Sequence, residues 1–336
     1  MPLLARAEPG LLTLRILSAL VLAPIAIAAA WYGSPWLPIL TAIAAIGMAW
    51  EWAKLCRGGG IGNTGAVLIA AALVAVIIAV FAGIALALAA TAAGAAIVFW
   101  VAWREHEAEP RWFALGLLWI ALPCVLLLWL ARAEAGGPLT LLWIFAVVWA
   151  TDIGAYIAGR RIGGPLLAPE WSPRKTWAGV IGGAGCAALT GWATARLLGA
   201  SALPLVLLSA GLAIVEQFGD LAESVAKRRF GVKDSSGLIP GHGGLLDRLD
   251  GLLAVIPAVA LLTLIGGVIG VISGKIVFHF VNMTKVTQGF LVNFTLFPAS
   301  MATCIAASLV VGLLAGGWPA MRSANMSVVD GLRRVV

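Results

Sequence analysis

Long apolar runs, each about 20 residues in length, alternate with short polar segments along almost the whole chain. A run of this length crosses the hydrocarbon core of a bilayer as an α-helix, and a helix in lipid satisfies its own backbone hydrogen bonds. The pattern therefore predicts an all-α polytopic membrane protein with about ten transmembrane helices. The predicted spans cover residues 14–32, 36–53, 65–82, 84–103, 113–131, 140–158, 178–199, 204–226, 252–278 and 292–316.

The composition supports this fold class. The 336 residues are 62% hydrophobic and 11% charged, whereas soluble domains carry about 25% charged residues. Disordered, collagen-like and disulfide-rich secreted proteins are thereby excluded. The four cysteines, Cys56, Cys124, Cys186 and Cys304, are far apart and indicate neither a metal cluster nor a disulfide framework.

The distribution of positive charge predicts the orientation. With the N-terminus inside, 18 of the 22 Lys and Arg residues fall in inside segments, as the positive-inside rule requires. The exceptions are Arg132, Arg196, Lys275 and Lys285. We therefore expect an N-in, C-in protein. The inside loops account for the net charge of +7, so no nucleic-acid partner is expected.

Two inside segments, residues 151–177 and 216–250, carry the candidate chemistry. Gln217, Asp220, Ser224 and Lys227 are three or four residues apart and so share one helix face. Ionisable residues at membrane depth usually face a polar cavity, which favours a functional role for Asp220. Asp247 and Asp250 lie one turn apart at the start of the next predicted helix, where helix capping is the simpler alternative.

Carboxylates from two helices beside basic groups suit a divalent cation that binds phosphate. Hard oxygen ligands favour Mg²⁺. In the loop between the helices, Gly243 and Gly244 allow the backbone to approach a phosphate, although most such glycine runs are only flexible turns. His242 is more readily a loop hydrogen-bonding residue than a base. The flanking residues predicted to complete an anion-binding site are Lys227, Arg228, Lys233 and Arg248.

Three further charged positions have two interpretations each. Asp152 either hydrogen-bonds to a neighbouring helix or lines the site, and Lys175 either sets the topology or contacts substrate. Glu51 and Lys54, at the end of the second span, are predicted to form an ion pair at the membrane interface.

The polar motifs resemble those of the phosphatidate cytidylyltransferases, also called CDP-diacylglycerol synthases. The family signature matches Lys227-Arg228, Lys233-Asp234, Leu238 to Gly244 and Asp247-Arg248-Leu249-Asp250. Upstream, Gly219-Asp220 with Glu223-Ser224 and the segment Ser172 to Trp177 also match, whereas Thr151 and Ala226 depart from the usual residues. The resemblance covers about residues 10–268, so residues 1–270 are predicted to form the cytidylyltransferase domain.

The resemblance implies transfer of a cytidylyl group from CTP to phosphatidate, which yields CDP-diacylglycerol and pyrophosphate in phospholipid biosynthesis. It implies a site open to the cytoplasm in a bacterial inner membrane, with the lipid bilayer as a partner. A second metal ion and a homo-oligomer are compatible with it. Asp220 and Asp247 would bind Mg²⁺, with Asp250 close by and Ser224 and Lys227 at phosphate. The residues assigned to CTP or lipid are Lys175, Arg228, Lys233, Asp234, His242, Gly243, Gly244 and Arg248.

The tail departs from that family. Residues 264–336 weakly resemble the last part of FtsX-like permeases of ABC exporters, through Pro319-Ala320 and the ending Leu332-Arg333. An unrelated extra hairpin is the alternative. Residues 271–336 are therefore predicted to be an appended segment with one transmembrane helix and unknown function.

Two other functions remain open at this stage. CTP-dependent transfer to another lipid phosphate or to a polyprenol would use the same motifs. A transporter or permease would place its buried charges near the bilayer midplane on broken helices. The candidate residues instead crowd one predicted cytoplasmic rim, which favours the enzyme.

Overall fold

A computed structural model describes residues 9–133, 136–239 and 243–280. In these ranges the chain forms nine α-helices and one small antiparallel β-hairpin. The elements are α1 (Pro9–Tyr32), α2 (Trp36–Arg57), α3 (Gly62–Phe81), α4 (Ile84–Arg104), α5 (Pro110–Ala131), α6 (Gly137–Arg161), β1 (Leu166–Ala168), β2 (Ser172–Thr176), α7 (Trp177–Leu198), α8 (Ala202–Arg229) and α9 (Leu246–Phe280).

The helical fold follows the predicted spans. Each of the first nine predicted spans coincides with one helix, and the tenth, 292–316, lies outside the described residues. Within the described part of the chain, seven helices are long and apolar enough to cross a membrane. They are α2, α3, α4, α5, α6, α8 and the first 25 residues of α9. The nearly all-α fold is thus confirmed, with seven candidate membrane-spanning helices in the described residues.

The connection between α6 and α7 differs from the prediction. This region is predicted to be part of an inside segment without assigned strands, but β1 and β2 pair antiparallel, with Leu166 opposite Thr176 and Ala168 opposite Ser172. Strands of three and five residues are too short to give a clear alternating pattern. The hairpin holds Lys175 immediately before Thr176, whose hydroxyl caps α7 by accepting from the Gly179 amide at 3.1 Å.

Small residues allow α6, α7 and α8 to pack closely. A Cβ at Gly154 of α6 would lie 2.7 Å from the Gly182 carbonyl oxygen of α7. A Cβ at Gly191 of α7 would lie 2.5 Å from the Ser209 hydroxyl of α8. Close approach through glycine is typical of membrane helices. As a result, the hairpin between α6 and α7 lies beside the polar face of α8.

The chain divides into two compact units, Met1–Ala258 and Val259–Val336, with the division inside α9. All candidate site residues belong to the first unit. The predicted division into 1–270 and 271–336 rests on the sequence, and residues 281–336 lie outside the described residues.

Candidate active site

One face of α8 carries a column of polar side chains. Glu216, Gln217, Glu223 and Ser224 are buried, although they lie on a helix that is apolar enough to cross a membrane. Burying polar groups is unfavourable unless they find partners. Their partners come from α8 itself and from neighbouring elements, and these partners define the candidate site.

The hairpin supplies the first partner. Lys175 Nζ of β2 lies 2.6 Å from Asp220 Oδ2 and donates to the Gln217 carbonyl oxygen at 3.3 Å. The Ser224 hydroxyl is 3.4 Å from Asp220 Oδ1. Lys175 therefore contacts the polar face of α8, and its predicted contact with substrate stays a prediction.

The start of α9 supplies the second partner. Lys227 Nζ lies 2.6 Å from Asp247 Oδ1 and 3.2 Å from Glu223 Oε1. These three side chains are largely buried, with 11%, 9% and 1% of their surfaces exposed. One ammonium thus compensates two carboxylates where the end of α8 meets the start of α9.

The loop before α9 is held by the other oxygen of Asp247. Oδ2 accepts from the Ser235 amide at 3.0 Å, the Ser235 hydroxyl at 3.0 Å and the Gly244 amide at 2.9 Å. Gly243 has a φ of +83°, which glycine adopts without strain. The Gly244 amide thus donates to a carboxylate of the chain itself, and the predicted approach of this backbone to a phosphate stays a prediction.

The carboxylate of Glu51 in α2 also binds this loop. The predicted ion pair between Glu51 and Lys54 was wrong. Its side chain is fully buried, and Lys54 Nζ instead lies 4.4 Å from the centroid of the Trp50 ring. The Glu51 carboxylate accepts from the Ser235 and Ser236 hydroxyls at 3.3 and 2.5 Å. It also accepts from the amides of Leu245 and Leu246 at 2.8 and 2.7 Å.

Two more carboxyl groups extend the site along α8. Asp152 of α6 lies within hydrogen-bonding reach of Glu216, which also accepts from Gln217 Nε2 at 2.7 Å. Asp152 therefore contacts a neighbouring helix, as one of its two interpretations predicted, and its place in the site stays a prediction. Asp250 accepts from the Gly251 amide at 2.8 Å and lies near Asp220.

Several predicted residues lie at exposed positions around the site. Arg228 is exposed and donates to the Val232 carbonyl oxygen at 3.1 Å, beyond the end of α8. Lys233 and Asp234 are exposed in the following loop. Arg248 is exposed and interacts electrostatically with Asp152. His242 lies outside the described residues.

The predicted Mg²⁺ ligands offer oxygen donors, but both are paired with lysine side chains in the described residues. Carboxylate oxygens are the hard ligands that this cation prefers, and Asp220, Glu223 and Asp247 provide them. In the described ranges, no group of three or more His, Cys, Asp or Glu side chains is arranged to hold a metal ion. Asp220 and Asp247 instead each contact a lysine ammonium at 2.6 Å.

Sequence reasoning did not assign Glu51, Glu223, Ser235 or Ser236 to the site. Glu223 could have been found, because it lies four residues before Lys227 on the same helix. Glu51 had a weaker signal, namely a carboxylate between Trp50 and Trp52 near the end of an apolar run. The two serines gave no signal that distinguishes them from ordinary loop residues.

Comparison with known proteins agrees with the motifs. A protein from Brucella suis named phosphatidate cytidylyltransferase is 40% identical over 258 residues, which are 76% of this chain and 93% of the relative. A protein of the same name from Pseudomonas aeruginosa is 38% identical over 261 residues, covering 74% and 95%. The family model described as Cytidylyltransferase family matches residues 13–266. The chain therefore belongs to the cytidylyltransferase family.

Proposed function

We propose that the chain transfers a cytidylyl group from CTP to phosphatidate and releases pyrophosphate. The observation that carries this proposal is that the Lys175–Asp220 and Lys227–Asp247 pairs lie along one face of α8. Full-length relatives named phosphatidate cytidylyltransferase are 38% and 40% identical to the chain. The product is CDP-diacylglycerol, an intermediate of phospholipid biosynthesis.

The reaction needs little covalent chemistry from the protein. An oxygen of the phosphatidate phosphate attacks the α-phosphorus of CTP, and the bond to the bridging oxygen of the β-phosphate breaks. Positioning and charge neutralisation then supply most of the rate in phosphoryl transfer. Lys227 and Lys175 are suited to this role, because their ammonium groups converge from two elements on one site.

Mg²⁺ is the cofactor that we propose for this site, held by Asp220 and Asp247. Bound there, it would neutralise charge on the triphosphate. Asp250 is proposed to lie close to the ion, and the Ser224 hydroxyl, 3.4 Å from Asp220 Oδ1, is proposed to contact phosphate. Phosphate oxygens entering the site would compete with these carboxylates for the ammonium groups of Lys175 and Lys227.

The remaining predicted residues would surround the substrates. The exposed Arg228, Lys233 and Arg248 lie at the rim and are proposed to attract the triphosphate or the lipid headgroup. Gly243 and Gly244 would let the backbone lie close to a phosphate. Asp234 and His242 retain their proposed place at the nucleotide.

We also propose an N-in, C-in protein of ten spans in a bacterial inner membrane, with the site facing the cytoplasm. Ion pairs link the ends of several helices on one side of the first unit. Arg57 Nε lies 3.3 Å from Glu107 Oε1, and Arg229 pairs with Glu109. These contacts join the ends of α2 and α8 to the loop between α4 and α5, on the side rich in Lys and Arg.

An acceptor panel tests the proposed substrate. The purified full chain is incubated with CTP, Mg²⁺ and either phosphatidate, diacylglycerol or a polyprenyl phosphate, and lipid products are identified by mass spectrometry. We expect a CDP-lipid with phosphatidate alone. A product only with polyprenyl phosphate would show that the acceptor is wrong, and no product with any acceptor would contradict the enzyme class.

A further inference from the structure

Glu51 acts on the active site from a distant part of the chain. It lies on α2, 184 residues before Ser235 and 195 residues before Leu246. Its side chain is fully buried. A buried carboxylate is costly unless charge-assisted hydrogen bonds compensate it, and here four donors converge on its two oxygens.

Two of these donors are the amides at the start of α9. The first amides of a helix have no partner within the helix and need a capping acceptor. Glu51 provides it for Leu245 and Leu246 at 2.8 and 2.7 Å. A negative group is also favoured at this end by the helix dipole. Glu51 thus caps, from another helix, the element whose next residue is Asp247.

The other two donors connect Glu51 to Asp247 through the loop. The Ser235 hydroxyl lies 3.3 Å from Glu51 Oε2 and 3.0 Å from Asp247 Oδ2. The Ser236 hydroxyl donates to Glu51 Oε1 at 2.5 Å and accepts from the Leu238 amide at 3.0 Å. One serine therefore bridges the two carboxylates, and the next fixes the loop.

The absence of a side chain at Gly244 independently shows that the Glu51 carboxylate and the Ser235 hydroxyl pack tightly against this backbone. A Cβ there would overlap the Ser235 hydroxyl and lie 2.9 and 3.0 Å from the two Glu51 oxygens. Only a residue without a side chain leaves room for this arrangement.

We propose that Glu51 is a positioning residue for cytidylyl transfer, which fixes the start of α9 and so orients Asp247 toward Lys227. This inference rests on the proposed function and adds α2 to the elements that build the site. Glu51 contacts loop and helix groups, so its effect on substrate is exerted through Asp247.

Glu51→Gln is the direct test, with Glu105→Gln as the matched control. The amide nitrogen of glutamine cannot accept from an N–H donor, so one backbone amide of α9 loses its acceptor while the volume is kept. Glu105 is an exposed carboxylate contacted by Asn63, between α4 and α5. Two measurements are made on purified full-length proteins.

Hydrogen exchange measures the contact independently of activity. In Glu51→Gln, amides in a peptide spanning residues 243–250 should exchange at least about tenfold faster than in the wild type, because local opening becomes easier. Exchange in the Glu105→Gln control should be unchanged. Wild-type exchange rates in Glu51→Gln would show that the cap is not needed and would overturn the proposal.

Kinetics separates positioning from a merely structural role. We expect kcat to fall at least about tenfold and the Mg²⁺ concentration for half-maximal activity to rise, while KM for phosphatidate changes less than about twofold. Faster exchange with unchanged kcat and unchanged Mg²⁺ dependence would also overturn the proposal. An inactive wild type would instead contradict the proposed function. Hydrogen exchange would still test whether Glu51 stabilises the start of α9.

Ser236→Ala keeps the test decisive if Glu51→Gln does not fold. It removes one donor to Glu51 and leaves the capping amides in place, so we expect the same changes with smaller amplitude. The effect of Ser236→Ala should vanish in a Glu51→Gln background wherever that protein folds, since the two residues act through one contact. Wild-type exchange and kinetics in Ser236→Ala would contradict the role of the loop contact.

Discussion

Lys227 Nζ lies 2.6 Å from Asp247 Oδ1, and this contact joins the last turn of α8 to the first turn of α9. The two residues are 20 positions apart in the chain. The same ammonium also faces Glu223, so three charged groups meet at one largely buried point. The contact places the start of α9 relative to the polar face of α8, and four predictions follow from the site built around it.

Asp247→Asn should lower cytidylyl transfer by more than about tenfold at saturating Mg²⁺. The substitution keeps the side-chain shape but removes the charge that Lys227 compensates and that Mg²⁺ would use. A tenfold loss corresponds to about 1.4 kcal/mol of transition-state stabilisation, which is a low threshold for a metal ligand. Initial rates at several Mg²⁺ concentrations check the prediction. Retention of more than a tenth of the activity in a folded protein would exclude Asp247 as a ligand.

Lys227→Ala should reduce turnover by about 100-fold, in the range seen when a charge-stabilising group is removed from an active site. The variant loses the ammonium group that is proposed to bind phosphate. It also leaves Glu223 and Asp247 without the cation that they share. Lys54→Ala is the control, because the Lys54 ammonium lies over the Trp50 ring, away from the two ion pairs, and alanine keeps the backbone carbonyl that accepts from Gly59. Steady-state rates at matched protein loading are compared, and equal losses in both variants would argue against the site.

Gly244→Ala should lower the rate of transfer at least about tenfold, because a Cβ would displace the Ser235 hydroxyl and lie too close to the Glu51 carboxylate. Gly185→Ala provides the matched control. A Cβ at Gly185 of α7 meets nothing within 4 Å, and alanine favours a helix by about 1 kcal/mol. Activity and the thermal midpoint are measured on both variants. A fully active Gly244→Ala would show that the loop tolerates a different shape.

Removal of residues 275–336 should leave transfer largely intact. The family match ends at residue 266, and every candidate site residue lies at or before Asp250. Residues 252–274 would still span about 34 Å as a helix, enough for a hydrocarbon core of about 30 Å. Activity and thermal stability are measured together on the shortened protein. A stable, membrane-inserted but inactive truncation would show that the tail helps to build the site.

Local spacing made much of the site predictable from sequence. Asp220, Ser224 and Lys227 recur at helical intervals, so their common face follows from the geometry of one helix. Asp247 could be placed at the start of α9 because the apolar run begins just after it. The signature motif linked the two segments, which spacing alone could not do.

The parts that were missed depend on contacts between distant segments. Glu51 meets the loop only after α2 packs near the start of α9, and no local pattern encodes a separation of nearly 200 residues. Its neighbours Trp50 and Lys54 suggested a position at the membrane interface. Tertiary packing instead places the Glu51 carboxylate against backbone amides of the loop and α9. The hairpin that carries Lys175 was missed for a different reason, since its strands are too short to show a period.

The most direct test of the central claim follows the phosphorus atoms of CTP. The purified full chain is supplied with phosphatidate, Mg²⁺ and CTP labelled at either the α- or the γ-phosphate, and the lipid and aqueous phases are counted. We expect the α-label to enter the lipid as CDP-diacylglycerol, while the γ-label leaves as pyrophosphate in equal amount. Label from the γ-phosphate in the lipid, or no label in the lipid from a folded protein, would contradict it.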